Sequence, residues 1–245
     1  MVIRKYKCPE CKQNAGVNLV YGYPSVDLAE KVERGEIALG GCAIEEGQPQ
    51  RRCLACGAEW SMKKRNLDFS LLIKAVAFAA TKHKKQRRKD VDASPYINHP
   101  IALADVLANE GGVLDVNVLC AAVLHDTVED TKTTEQELID SFGAKIASIV
   151  MEVTDDKSLD KAERKLMQIE HSAHASKEAK LVKLADKICN LRDILEHPPK
   201  NWEASRKLEY FNWAGKVVAG VRGSNVDLER IFDELLVQGH ARFGN

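Results

Sequence analysis

The chain has 245 residues and a mass of 27.2 kDa, enough for one to two domains at about 150 residues each. Lys plus Arg total 36 and Asp plus Glu total 36, so the formal net charge is zero, which excludes a broad basic field for gripping nucleic acid or an anionic membrane. With 44% hydrophobic and 29% charged residues, no long apolar run and no apolar stretch in Met1 to Cys8, the chain is expected to be globular and cytosolic, without a membrane span or secretory signal.

Residues 1 to 62 carry turn signals at Cys8-Pro9, Tyr23-Pro24-Ser25, Gly40-Gly41 and Gln48-Pro49, with one helical stretch near Val26 to Gly35. A small, irregular module is predicted. Five of the seven cysteines fall here, and an odd total argues against a disulfide framework. Cys8-Pro9-Glu10-Cys11 and Cys53-Leu54-Ala55-Cys56-Gly57 are two hooks, each able to aim two thiolates at one tetrahedral Zn²⁺. Gly57 suits the tight turn that points amides at sulfur, and the segment resembles zinc ribbons. Cys42 is left free or buried. The zinc is expected to replace a core that the module is too small to build. The sharper reading makes it a binding module, with Arg51, Arg52, Lys63, Lys64 and Arg65 touching nucleic acid or another partner. Met62 to Asn66 reads as a linker.

From Asn66 onward the period becomes helical. Phe69, Leu72, Ile73, Val76 and Ala80 share one face, and the basic run Lys82 to Lys89 follows in a loop. Pro100 suits a first helical turn that runs on to a stop at Gly111-Gly112. The next helix starts near Asp115. Thr134 and Glu137 make a capping box for a helix ending at Gly143. Further helices are predicted over 145–153, 161–170, 177–197, 202–221 and 225–238. Residues 67–245 are therefore read as an all-α domain, and the chain as mainly α.

Within the helical part, His125-Asp126 precedes Glu129-Asp130 by one turn. If the helix continues, His125 and Glu129 are i,i+4 neighbours, as are Asp126 and Asp130. His99 opens a helix beside an apolar run, and Asp186 sits on an apolar stripe with Asn190 one turn on. Burying either without a partner is costly, so each requires a metal, an ion pair or a hydrogen bond. Two His and two Asp form a mixed N/O set that suits Mn²⁺ or Fe²⁺ with open water positions. Trp202, Arg206 and Tyr210 form an i, i+4, i+8 stripe in which an Arg between two aromatics suits a ligand with a ring and phosphates. His83, His171, His174, His197 and His240 are read as surface or packing residues.

A histidine, then His-Asp, then a distant Asp resembles the HD phosphohydrolase superfamily, and in particular the RelA/SpoT-type small alarmone hydrolases, including the metazoan SpoT homologue. The resemblance covers about three quarters of the chain. It is carried by Gln86-Arg87-Arg88-Lys89, Tyr96-Ile97-Asn98-His99-Pro100, Leu124 to Thr131, Val153-Thr154-Asp155-Asp156-Lys157 and Lys183 to Leu191. It implies an all-helical HD-domain hydrolase in which His99, His125, Asp126 and Asp186 ligate Mn²⁺. Glu129 and Asp130 would orient and deprotonate the attacking water beside Asn190. It further implies that Arg88, Lys89, Trp202, Arg206, Tyr210 and, more weakly, Lys161 contact a small nucleotide, ppGpp or pppGpp, which is cleaved at its 3′-diphosphate. NADPH losing its 2′-phosphate at the same site is the alternative, and a nucleotide sensor without turnover is the third reading. The N-terminal cysteine module departs from the bare small hydrolases.

Overall fold

The computed structural model describes residues 5–23, 25–42, 48–61 and 69–244. The chain divides into two compact units, residues 1–66 and 67–245. Lys63, Lys64, Arg65 and the linker read at 62–66 lie outside the described residues.

The first unit is more regular than its sequence suggests. Strands β1 (Gly16–Tyr21), β2 (Ile37–Gly41), β3 (Arg51–Cys53) and β4 (Glu59–Trp60) form one sheet in the order β2-β1-β3-β4. β1 and β2 run parallel, joined through helix α1 (Val26–Glu33), where Ser25 caps the amide of Leu28; the other pairings are antiparallel. Strands of two to six residues, one of them beginning Arg51-Arg52, are too short and polar for an alternating pattern to register. Gly16 is required by close approach, since a Cβ there would lie 2.6 Å from the Trp60 ring and 2.8 Å from the Tyr6 carbonyl oxygen. The buried apolar cluster consists of Val17, Leu19 and Ala38 with Tyr21 against it, which is too little to hold a sheet unaided.

The second unit is helical throughout its named elements. They are α2 (Phe69–Lys82), α3 (Asn98–Asp105) running into a π turn (Val106–Glu110), α4 (Val116–Leu124), α5 (Thr127–Asp130), α6 (Glu135–Phe142), α7 (Ala144–Val153), α8 (Lys161–Ser172), α9 (Lys177–Glu196), α10 (Ala204–Val221) and α11 (Val226–Phe243). The expected helix ends appear: Asp115 caps the start of α4, Thr134 supplies its half of the expected capping box by accepting from the Glu137 amide, and Gly143 ends α6 at φ 87°. α4 buries every residue from Val118 to Leu124, and α9 buries Leu181 to Ala185, Lys187 to Cys189, Leu191, Ile194 and Leu195. A helix buried nearly all round is a central element, and α9 packs against α3, α4, α7, α10 and α11. No helix among the described residues is long and apolar enough to cross a membrane.

Two sequence expectations are corrected. Trp202, read with Arg206 and Tyr210 as one helical stripe, precedes α10, which begins at Ala204, and the condition that would make His125 and Glu129 helical neighbours is not met. The helix carrying His125 does not continue through Asp130; α4 ends at Leu124, and His125-Asp126 form a turn before α5. His125 and Asp126 keep right-handed helical dihedrals and the Asp130 amide still reaches the Asp126 carbonyl at 2.8 Å, while the His125 ring lies against His99 and within ligand distance of Asp186.

Candidate active site

Three buried elements meet at one point. His99 comes from the first turn of α3, His125 from the break between α4 and α5, and Asp186 from the middle of α9, and one ligand atom of each lies within 4.8 Å of the other two. His99 Nε2 is 3.2 Å from Asp186 Oδ1. His125 Nδ1 lies 2.8 Å from the Ala122 carbonyl oxygen, which can only accept, so the ring proton sits on Nδ1. Nε2 is then a buried lone pair without a hydrogen-bond partner, 2.9 Å from Asp126 Oδ2. Two electron-rich atoms at that distance require a cation or a second proton between them.

Burial disfavours the charged form of His125, but the Asp126 carboxylate outweighs it and lifts the imidazole to about 9. Burial pushes His99 the other way, below its ordinary value. Asp186 is held well below the usual carboxylate range despite burial, chiefly by the Lys187 ammonium 2.9 Å away and by His99. Asp126 is likewise held low against burial by His125. Imidazoles converging with ionised carboxylates suit a divalent cation of the harder transition series. Asp126 touches His125 but is not part of the mutual cluster of His99, His125 and Asp186; its carboxylate accepts from the Tyr96 hydroxyl.

The acidic pair stands beside this cluster on α5. Glu129 Oε2 accepts from the Asp155 amide at 3.3 Å, and its Oε1 is 3.7 Å from Lys157 Nζ. Burial, then the charges of Asp126 and Asp155, raise the Glu129 carboxyl to about 7. Asp130 accepts from Gln86 Nε2 at 2.7 Å and from Lys157. Asn190 Nδ2 donates to Asp186 Oδ1 at 2.6 Å, joining its neighbour one turn away on α9.

A pocket of about 200 Å³ surrounds His99, His125, Asp126, Glu129 and Asp186. It adjoins a cleft of about 370 Å³ lined by Arg88, Lys89, Asp130, Asn190, Trp202 and Tyr210, among others. Arg88, Tyr96, Asn190 and Tyr210 line both. Arg88 is engaged with Asp193 and lies 5.8 Å from the Tyr96 ring centroid. Arg206 is exposed and does not line the cleft; its guanidinium covers the Trp202 ring at 4.5 Å. Lys161 also stays outside the lining, and burial followed by the nearby charges of Arg206, Lys165 and Lys89 lowers its pKa. Burial raises the Tyr210 hydroxyl to about 12, so it remains a donor at neutral pH.

Residue patterns alone gave no reason to single out Tyr96, Gln86, Lys157, Lys183 or Lys187. Lys183 and Lys187 are buried at 7% and 4% exposure inside the apolar run of α9, where only tertiary contacts explain an ammonium. Of the histidines read as surface or packing residues, His83 is buried with its ring tilted against Tyr96 at a centroid distance of 4.9 Å, while His171, His174, His197 and His240 are exposed.

In the first unit, the sulfurs of Cys8, Cys11, Cys53 and Cys56 lie within 4.8 Å of one another. Cys8 and Cys56 approach to 3.7 Å, and Cys11 and Cys53 to 3.6 Å. A tetrahedral ion with metal–sulfur bonds of about 2.3 Å needs sulfur–sulfur edges of about 3.8 Å, so the four fit one site. Burial would raise Cys53, but the amides of Cys56 and Ala55 aimed at its sulfur lower it to about 7. Gly57 follows at φ 75°, the left-handed conformation expected of it. Cys42 is exposed and not in the cluster. Arg51 lies over the Tyr6 ring at 3.9 Å and donates to Asn18, and Arg52 pairs with Glu59 and donates to the Leu39 carbonyl, so both guanidiniums are engaged within the sheet.

An HD-domain family model matches residues 75–210. Over 169 residues the chain is 54% identical to the Danio rerio protein named guanosine-3′,5′-bis(diphosphate) 3′-pyrophosphohydrolase MESH1, covering 69% of this chain and 94% of that protein. The Homo sapiens protein of the same name is 53% identical over 167 residues, covering 68% and 93%. A solved structure described as a metazoan ortholog of SpoT that hydrolyzes ppGpp matches with a TM-score of 0.67 at 46% identity, over 69% of this chain and 95% of that one. The family match begins at residue 75, so the cysteine unit lies outside it.

Proposed function

Because the chain belongs to the HD-domain family, alongside the pyrophosphohydrolases named MESH1, we propose that it hydrolyses the 3′-diphosphate of ppGpp or pppGpp, giving GDP or GTP and pyrophosphate. The observation that carries this reading is the convergence of His99, His125 and Asp186 beside Glu129 and Asp130, at the edge of a cleft lined by Arg88, Lys89 and Tyr210. His99, His125, Asp126 and Asp186 would hold Mn²⁺. Once bound, that cation supplies Lewis acidity at phosphorus and lowers the pKa of water.

The protein groups do the rest. Glu129 and Asp130 orient a water toward the phosphorus attached to O3′ and accept its proton as the new P–O bond forms. The P–O3′ bond breaks, O3′ ends protonated on the nucleotide, and pyrophosphate carries the oxygen from water. Asn190 fixes the Asp186 carboxylate. Arg88 and Lys89 neutralise phosphate, and Tyr210 and Trp202 offer ring faces to the base, with Arg206 and Lys161 adding positive charge nearby.

Residues 67–245 are the hydrolase domain in this reading. Residues 1–62 are a zinc-ribbon-like module in which Cys8, Cys11, Cys53 and Cys56 bind structural Zn²⁺. Four reduced thiols suit a reducing compartment, which supports a cytoplasmic location. The test is product analysis with Mn²⁺-loaded protein given ppGpp, pppGpp or NADPH in parallel. Equimolar GDP and pyrophosphate from ppGpp is expected. Phosphate release from NADPH alone would transfer the site to the 2′-phosphatase reading, and no turnover of any substrate would remove the enzymatic reading.

A further inference from the structure

Asp130 is held by a side chain that belongs to neither the metal cluster nor the acidic pair. Gln86 Nε2 donates to Asp130 Oδ2 at 2.7 Å, and on its other side Gln86 Oε1 lies 2.7 Å from Nδ1 of His83. The direction of this chain follows from chemistry. An ionised carboxylate only accepts, so the amide nitrogen of Gln86 must face Asp130 and its carbonyl oxygen must face His83. His83 Nδ1 must then donate, which selects one tautomer and leaves Nε2 as a buried atom without a hydrogen-bond partner. His83 is 2% exposed. A buried polar ring with one nitrogen unsatisfied is an expensive way to fill space, and an apolar residue would pack without that loss.

The same ring makes a second connection. It packs at a tilt against the Tyr96 ring, with centroids 4.9 Å apart, and the Tyr96 hydroxyl donates to Asp126. His83 thus holds Asp130 through Gln86, while its contact with Tyr96 is ring packing that an apolar side chain can also supply. The backbone reinforces the arrangement, since the Gln86 amide reaches the His83 carbonyl at 2.8 Å, and the Gln86 carbonyl accepts from the Tyr96 amide at 3.2 Å. The other oxygen of Asp130 is occupied by Lys157, whose ammonium also lies 3.7 Å from Glu129. Asp130 is therefore gripped from two sides, by a rigid local turn and by a long flexible side chain.

We propose that His83 and Gln86 form a positioning relay that fixes the Asp130 carboxylate in the orientation needed to hold the attacking water, with the Nδ1–H tautomer of His83 setting the direction of the Gln86 amide. This rests on the hydrolase reading. Neither residue transfers a proton in the reaction. Their effect passes through Asp130, as outer hydrogen-bond partners commonly act on the groups they orient.

The test uses the full chain loaded with Mn²⁺ and ppGpp. Gln86→Met keeps the length of the side chain and removes both hydrogen bonds. It is expected to lower kcat by about 10- to 100-fold while leaving KM within about twofold and Mn²⁺ affinity, read by electron paramagnetic resonance, unchanged, because loss of an orienting contact affects the transition state more than ground-state binding. His83→Leu should reproduce that loss. His83→Asn, which can place an amide N–H where Nδ1–H stands, should restore most of the rate. Combining His83→Leu with Gln86→Met should cost no more than either alone, as for two links of one chain.

A wild-type kcat in Gln86→Met with an unchanged circular dichroism spectrum overturns the relay. A rise in KM at constant kcat also overturns it, making Gln86 a substrate contact in the cleft it lines. If His83→Asn is as impaired as His83→Leu, the assigned tautomer is wrong and the relay fails. Absence of wild-type turnover removes the hydrolase reading and the relay with it, whereas a normal wild type with unaffected variants removes the relay alone.

Discussion

Replacing Asp186 with alanine separates what this carboxylate does for stability from what it does for the site. Asp186 Oδ2 lies 2.9 Å from Lys187 Nζ, and the Lys187 side chain is 5% exposed. Lys187 also lies 4.5 Å from the Trp213 ring centroid, but Asp186 is the carboxylate it pairs with. Burial disfavours the ammonium, and the Asp186 charge more than compensates, lifting the Lys187 pKa above its ordinary value. Alanine costs nothing in helix propensity, so the loss is electrostatic: an ammonium left buried without its partner, at about 3–5 kcal/mol. Relief of the repulsion between Asp186 and Asp126 works against this and favours the lower figure. At about 2–4 °C per kcal/mol for a unit of this size, the metal-free Asp186→Ala protein should melt about 6–12 °C below wild type, and it should neither bind Mn²⁺ at the site nor turn over ppGpp. The informative partner is Asp186→Leu combined with Lys187→Met, which removes both charges. That double variant should recover most of the melting temperature and none of the metal binding or activity. Scanning calorimetry of chelator-treated protein reads the first quantity, and electron paramagnetic resonance with product analysis reads the others. An Asp186→Ala protein melting within about 1 °C of wild type, or a double variant no more stable than the single one, would refute the assignment of Lys187 as a buried cation dependent on Asp186.

Two other expectations follow from the geometry. The Glu129 carboxyl is raised from 4.5 to about 7 by burial and by Asp126 and Asp155. The folded metal-free protein therefore holds a proton that the unfolded chain releases, so this group subtracts stability as pH rises from 4.5 through 7. A base must be ionised to accept a proton, so kcat/KM should fall on the acid side with a limb at or below 7. Glu129→Gln should lose that limb together with most of the rate; a flat wild-type profile across this range would contradict the role. In the first unit, Cys53→Ser should release one equivalent of zinc and expose residues 5–61 to proteolysis, while Mn²⁺-supported turnover stays within about twofold because zinc-bound folding energy is local to its module. Activity lost in proportion to zinc would show that the units are not independent.

Much of the site is legible in the sequence because its signals are local. The pairs Cys8/Cys11 and Cys53/Cys56, the dipeptide His125-Asp126 and the polar residues Asp186 and Asn190 in the apolar run of α9 stand out by spacing or by violating their surroundings, and the caps at Asp115, Thr134 and Gly143 follow short-range rules. The strands of the first unit are not legible, because a three-residue strand such as Arg51–Cys53 carries no period. The break at His125-Asp126 is hidden for a different reason. Its flanks, Val118 to Leu124 and Thr127 to Asp130, each read as helix, and the interruption appears only with the convergence of His125 on His99 and Asp186.

The sequence by itself determined the fold class, the two cysteine hooks and the set of candidate ligands, because periodicity, capping and ligand chemistry are properties of neighbouring residues. Which of those candidates meet was decided by the tertiary structure. It brought His99, His125 and Asp186 together from three helical segments, left Asp126 beside them, and placed Arg206 and Lys161 outside the cleft lining. It also recruited His83, Gln86, Tyr96 and Lys187, whose value depends on what faces them across the core. A buried polar atom must find its partner wherever the packing provides one, and that partner can stand 44 residues away, as Asp130 does from Gln86.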